Sequence, residues 1–181
     1  ITIDNDNLGR MDINKLEVEV INNLNNGKKI FAVVATLGTT MRGSVDPISE
    51  ISKICKKYNL WLHIDGSIGG IYFLLKTKIK EIDSIKEANS ITINPQKVLG
   101  ITKTSSLLIV KDIKNLQKAF QTGLPYLDSD ENFINRGELG VQGSRPAEII
   151  KLWLGMKFLG ISGIDQVLKA SIEKRILFEK N

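Results

Sequence analysis

One cysteine and one histidine in 181 residues leave little room for several kinds of chemistry. The single cysteine, Cys55, excludes an intrachain disulfide and any cysteine-rich zinc site. It falls in an amphipathic helical pattern and reads as a small core residue. A single histidine, His63, argues against a histidine-based metal site. No apolar run approaches the roughly 18 residues that a membrane-spanning helix needs, and no leader pattern is visible, so the cytoplasm is the expected compartment. The net charge of +5 comes from scattered lysines such as Lys28, Lys29, Lys56, Lys57, Lys76, Lys78 and Lys80. No basic block is interleaved with aromatics, so no nucleic-acid partner is expected. The chain opens on Ile1 and ends within the helical pattern "ASIEKRILFEK", as expected of a piece of a longer protein.

What is present is an ordinary globular composition, 42% hydrophobic and 25% charged, in a length suited to about one domain with a real core. Short β-rich apolar runs alternate with helical patterns. "ITI" at the start reads as a strand end. Asp12 is placed to cap a helix through Ile13, Leu16, Val20 and Leu24, closed by Gly27. "KIFAVVATLG", 29–38, reads as a strand buried on both faces. Asp46-Pro47 reads as an acceptor cap and first-turn proline for a helix carrying Ile48, Ile51, Ile54, Cys55 and Tyr58 on one face. "LWLHID", 60–65, is a further buried strand, and Gly66–Gly70 opens a short helix. "SITIN" and "SSLLIV" are two more strands. The stretch 112–142 is polar and loop-rich, and helices are expected over about 145–159 and 162–179. The alternation predicts an α/β fold of three layers, with a mostly parallel sheet flanked by helices. Its expected division is a cofactor-binding large domain over 1–160 and the start of a helical connection over 161–181.

In such sheets ligands sit outside the carboxyl ends of the strands. Three predicted strand ends carry polar groups there: "LGTT" after 29–38, Asp65 after 60–65, and Asn94 with Lys97 after 90–94. Strand alternation places His63 and Asp65 on one face. A carboxylate at a buried strand end needs a partner if it is to keep its charge. Asp65 either caps the glycine turn that follows or pairs with a protonated ring nitrogen; a pyridinium held in this way remains an electron sink. Lys97 taken alone is a surface lysine, but a partly desolvated amine at that position can form a Schiff base. Aspartate, lysine and the threonine pair together point to pyridoxal 5'-phosphate.

The stretch "VVATLGTTMRGSVDPISEISKICKKYNLWLHIDGSIGG", followed by "ANSITINPQKVLG", resembles the group II pyridoxal-phosphate-dependent amino acid decarboxylases. That family includes the aromatic amino acid, glutamate and cysteine sulfinate decarboxylases, all of fold type I. The likeness runs from "GRMD" to "KLWLGMKFLG", with several motifs in order. It implies decarboxylation of an L-amino acid to an amine and carbon dioxide through an internal aldimine at Lys97. It assigns Asp65 to the pyridine nitrogen, Ser67 to packing against the ring, Thr40 to a place close to the cofactor, and Asn94 to the phosphate. His63 becomes a supporting residue behind Asp65, or simply a satisfied strand histidine. Counting from the lysine, Tyr126 in "GLPYLDSD" matches a loop tyrosine that protonates the α-carbon, often in the neighbouring subunit's site; otherwise it is a half-buried loop tyrosine. A homodimer with loops crossing between subunits and a small amino acid substrate are likewise implied.

Two departures stand out. Gln96 replaces the family's histidine before the lysine; it retains hydrogen bonding toward the phosphate but neither charge nor proton transfer. "DGSIGG" replaces the common "DAAWGG", altering the packing under the ring and the pocket at Ile68. The family's stacking histidine and phosphate-binding serine are expected upstream of Ile1, and its small domain beyond Asn181. Two alternatives share the sequence pattern: a fold type I enzyme of another reaction type (aminotransferase or carbon–carbon lyase), and a non-catalytic truncated homologue.

Overall fold

The computed structural model describes residues 1–75, 80–102, 106–121 and 136–180. Helix α1 (Ile13–Asn25) is followed by strand β1 (Ala32–Thr36), helix α2 (Ile48–Lys57), strand β2 (Trp61–Gly66) and a 3-10 turn, Gly69–Leu74. The short helix α3 (Lys80–Asp83) leads to β3 (Ser90–Ile93), the one-turn helix α4 (Pro95–Val98), β4 (Leu107–Val110), α5 (Lys114–Phe120) and α6 (Ile149–Lys180).

The helices start and stop where local chemistry directs. Asp12 accepts from the N–H groups of Asn14 and Lys15 at 2.9 and 3.1 Å, capping α1. Gly27, at φ +71°, closes it: Gly27 and Lys28 N–H donate back to Leu24 and Asn23 carbonyls. Asp46 differs from its expected role. Its carboxylate does not cap α2 but accepts from Met11 N–H and Thr36 N–H, both at 2.7 Å, pinning the N-terminal segment to β1. Helix α2 therefore starts without a side-chain cap, and Pro47, which has no N–H, stands at its start. The two C-terminal helices appear as α6 with a break at Gly160, whose φ of 62° and ψ of 173° no helix accommodates. The first three residues form no strand; an isolated bridge joins Asn5 to Met11 instead.

The sheet order is β1-β2-β3-β4, the first three strands parallel and β4 antiparallel to β3. Its two faces differ. Val33, Ala35, Leu37, Leu62, Ile64, Ile91 and Ile93 point to one side and join Ile48, Ile51, Cys55, Ile164 and Leu168 in the core. The other side carries Val34, Trp61, His63, Asp65, Ser90 and Thr92. The expectation that β1 is covered on both faces therefore fails: Val34 is 56% exposed while Ala35 is fully buried. Register aligns Thr36 with Asp65 and Asp65 with Thr92, so the carboxyl ends of all three parallel strands reach one edge of the sheet. Among the described residues, no helix is long and apolar enough to cross a membrane.

Candidate functional site

Glycines bring the loops at that edge together. Gly69 N–H donates to the Leu37 carbonyl at 2.9 Å, and a Cβ at Gly69 would collide with that same oxygen. A Cβ at Gly66 would lie 2.9 Å from the Thr92 carbonyl oxygen, so β2 can turn beside β3 only without one. At the end of β1, Gly38 turns with φ +92°, Thr39 Oγ1 accepts from Ser44 N–H at 3.0 Å, and Thr40 is left exposed. Hence "LGTT", "DGSIGG" and "NPQKVLG" form neighbouring turns, as their strand positions predict.

Asp65 leads from β2 into its turn. Its Oδ1 accepts from Ser67 N–H at 3.0 Å, a bond within the turn that closes it locally. Burial works to raise the Asp65 pKa. The Ser67 hydroxyl and N–H, then the charge of Lys97, overcome this and hold the carboxyl below its ordinary value. Asp65 is thus kept ionised, and Lys97 lies near enough to contribute. No ion pair joins the two among the described residues, so neither charge is consumed by the other.

Lys97 sits in the single turn of α4, with Pro95 at the first position and its own N–H donating to the Asn94 carbonyl at 3.0 Å. Proline fixes the entry to this turn, and Gly100 at φ +65° ends it. The lysine side chain is exposed. Asn94 does not cap α4 through its side chain; its Oδ1 accepts from Ser106 Oγ at 2.7 Å, which leaves the amide donors of that side chain free. Gln96 Oε1 is buried and has no hydrogen-bond partner. A buried carbonyl oxygen without a donor, beside an exposed lysine, is the mark of a site that expects a hydrogen-bond donor from a ligand.

His63 is held on both sides. Its Nδ1 lies 2.8 Å from Ser90 Oγ and its Nε2 lies 3.3 Å from Thr92 Oγ1. Trp61 Nε1 donates to the same Ser90 Oγ at 2.8 Å. The sequence reading singled out none of Trp61, Ser90 and Thr92. A signal existed: Ser90, Thr92 and Asn94 occupy alternate positions of an otherwise apolar strand, and so share the face of His63 and Asp65.

Lys97, Asp65, Ser67, Asn94, Gln96 and Thr40 all fall on the three turns at this edge, with His63 one pleat below. Tyr126 lies outside the described residues. No group of three or more potential metal ligands occurs among the described residues. A cavity of about 710 Å³ runs along the outer edge of β1 against Ile3, Met11, Val20 and Phe31 and reaches Thr36 and Thr39 at the strand's end. It is lined mainly by apolar atoms and includes neither Asp65 nor Lys97, so the chemistry is assigned to the strand ends.

The family model described as the pyridoxal-dependent decarboxylase conserved domain matches residues 1–181. The chain is 32% identical over 169 residues to the acidic amino acid decarboxylase GADL1 of Mus musculus, and 33% identical over 169 residues to the Homo sapiens protein of that name. Each match takes in 91% of this chain, but only 31% and 32% of those proteins. The chain therefore spans about a third of the length of these curated relatives. Among solved structures, mouse CSAD superposes with a TM-score of 0.87 at 31% identity, covering 98% of this chain and 38% of that one. Tryptophan decarboxylase of Catharanthus roseus, solved with L-tryptophan, gives the same TM-score at 22% identity over 98% of this chain and 38% of that one, a likeness of fold alone.

Proposed function

This chain belongs to the pyridoxal-dependent decarboxylase family, and from that premise we propose that it carries the lysine-bearing part of a site that decarboxylates an L-amino acid to an amine and carbon dioxide. The family's cofactor is pyridoxal phosphate, which when bound supplies an electron sink for the bond to the departing carboxylate. The observation that carries the reading is an ionised Asp65 facing an unpaired Lys97 across the ends of β2 and β3.

The side chains suit the group. Asp65 would hold a proton on the cofactor's ring nitrogen, its carboxylate steadied by the Ser67 N–H. Lys97 would hold the cofactor through its side-chain amine. The free amide donors of Asn94 would serve the phosphate, a role for which an amide needs no charge; Gln96 would reach it only through its amide N–H groups, since its orphaned Oε1 is an acceptor. Ser67 would pack against the ring and Thr40 would lie close by. His63 would support Asp65 from below. Tyr126 is retained as the residue that returns a proton to the substrate's α-carbon, on the strength of the resemblance alone. The whole enzyme would be a cytoplasmic homodimer. The apolar surface of α6, with Trp153, Leu154 and Phe158 at 57%, 54% and 90% exposure, supports an interface of some kind.

The test uses the full-length protein with pyridoxal phosphate, reduced by borohydride and digested. Mass spectrometry is expected to find the pyridoxyl group on Lys97. Lys97→Ala is expected to lose the label and most of the carbon dioxide release. A label on a different lysine, or undiminished release from Lys97→Ala, would refute the proposal. Release of a keto acid in place of carbon dioxide would assign the site to the transaminase alternative.

A further inference from the structure

Beneath the strand ends, four side chains form a line across β2 and β3: Trp61, Ser90, His63 and Thr92. Their hydrogen bonds have a direction that donor counting reveals. Trp61 Nε1–H can only donate, and it donates to Ser90 Oγ. Ser90 is 7% exposed, and its hydroxyl makes only one other hydrogen bond among the described residues, to His63 Nδ1. A buried hydroxyl hydrogen with no acceptor is costly. Nδ1 is the acceptor at hand, and a ring nitrogen that accepts carries no proton. The proton of the neutral ring then sits on Nε2, which faces Thr92 Oγ1. Thr92 in turn accepts, and its own hydroxyl hydrogen is left to point elsewhere.

We infer that Trp61 and Ser90 are positioning residues which lock neutral His63 as the Nε2–H tautomer, and that the relay ends in Thr92 as a hydroxyl donor to the site at the strand ends. The bonds from Trp61 to Ser90 and from His63 to Thr92 each climb toward the carboxyl ends of the strands, and the bond between Ser90 and His63 crosses directly between register partners. Thr92 is the last member, directly across from Asp65 in the sheet register and two residues before Asn94. With the opposite tautomer the Thr92 hydrogen is drawn down to His63, and the site loses a donor. The acceptor for that hydrogen is an anionic or carbonyl oxygen of the bound cofactor or substrate, or the carboxylate of Asp65. This inference concerns the same site as the proposed decarboxylase and rests on that reading for the identity of its ligand; the tautomer itself does not.

The experiment separates the two. In full-length protein labelled with nitrogen-15 in histidine, His63 is assigned by the signals that vanish in His63→Gln. Without cofactor, the expected pattern is a pyridine-like Nδ1 and a pyrrole-like Nε2. In Ser90→Ala the preference is expected to disappear, and in Ser90→Thr, which keeps the hydroxyl, to return. A pyrrole-like Nδ1 in the wild type would overturn the inference even if Ser90→Ala fails to fold. So would a pattern unchanged in a folded Ser90→Ala. With pyridoxal phosphate, Thr92→Val is expected to weaken retention of the cofactor by about tenfold, the worth of one hydrogen bond to a charged or polar ligand, while Thr92→Ser restores it. Equal retention by Thr92→Val and wild type would remove Thr92 from the site. Failure of the pyridoxyl label at Lys97 with the tautomer intact would sink the decarboxylase reading and leave the relay standing.

Discussion

The two faces of the three parallel strands behave as different materials. On one, Ala35, Ile64 and Ile91 are closed under α2 and the second half of α6 and make no hydrogen bonds with their side chains. On the other, one residue along in each strand, Val34 lies half-open while His63, Ser90, Thr92 and Asp65 are engaged in polar contacts. Strand geometry alone puts them back to back. The packed face fixes the height and register of the strands, and the polar face inherits that register, so that Thr36, Asp65 and Thr92 end level. Precision at the site is thus borrowed from the core behind it. A change on the packed side is felt as stability first and as site geometry second; a change on the polar side should do the reverse.

The sharpest way to break that contrast is a matched pair of truncations. Ile64→Ala removes a fully buried side chain between two site-bearing positions and is expected to cost about 2–5 kcal/mol. Val34→Ala, on the open face of the neighbouring strand at 56% exposure, is expected to cost less than about 1 kcal/mol. Urea unfolding of the full-length protein measures both. Equal costs would mean that the open face is covered in the full-length protein as thoroughly as the packed one.

The next effect tests whether the loops are fixed by the core or by themselves. Gly69→Ala introduces a Cβ where the Leu37 carbonyl oxygen already stands. Neither backbone segment has slack, because Leu37 N–H is itself bonded to the Asp65 carbonyl at 2.9 Å. The expected loss is about 1–3 kcal/mol, with weakened cofactor retention because the turns of Thr40 and Ser67 are pushed apart. A variant as stable as the wild type would show that these turns move freely with respect to each other.

Much of this was legible in the sequence. Near-continuous apolar runs locate the parallel strands, Asp12 and Gly27 mark both ends of α1, and Asp65 and Lys97 fall at strand ends. What was not legible has physical reasons. Val34 and Ala35 are both small and apolar, so hydropathy cannot tell which face of β1 is covered; only packing decides. Asp46 precedes a proline at a helix start, the pattern of a cap, yet its carboxylate serves Met11, 35 residues away in the chain, and Thr36. Such long-range bonds leave no local trace. The role of His63 could not be divided between support and simple satisfaction, because its partners, Ser90 and Thr92, are set by sheet register and not by spacing along the chain.

The smallest expected effect concerns the one charge the polar face must keep. Asp65 is held below its ordinary pKa of 3.8 in the folded protein, against the opposing effect of burial, by Ser67 and Lys97. A carboxyl whose folded pKa is depressed binds its proton more readily when unfolded. Its contribution to stability is therefore complete above the ordinary value and is lost as the pH falls through the lower, folded value. Wild type and Asp65→Asn should differ in unfolding midpoint by a constant amount between pH 5 and pH 7, and that difference should shrink once the pH drops below about 3.8. Partial exposure and screening keep the effect small. A difference that persists undiminished into acid would mean that Asp65 contributes through its turn bond to Ser67 and not through its charge. A difference that grows on acidification would mean that Asp65 is held above its ordinary value, and the packed and polar faces would then treat a carboxylate alike.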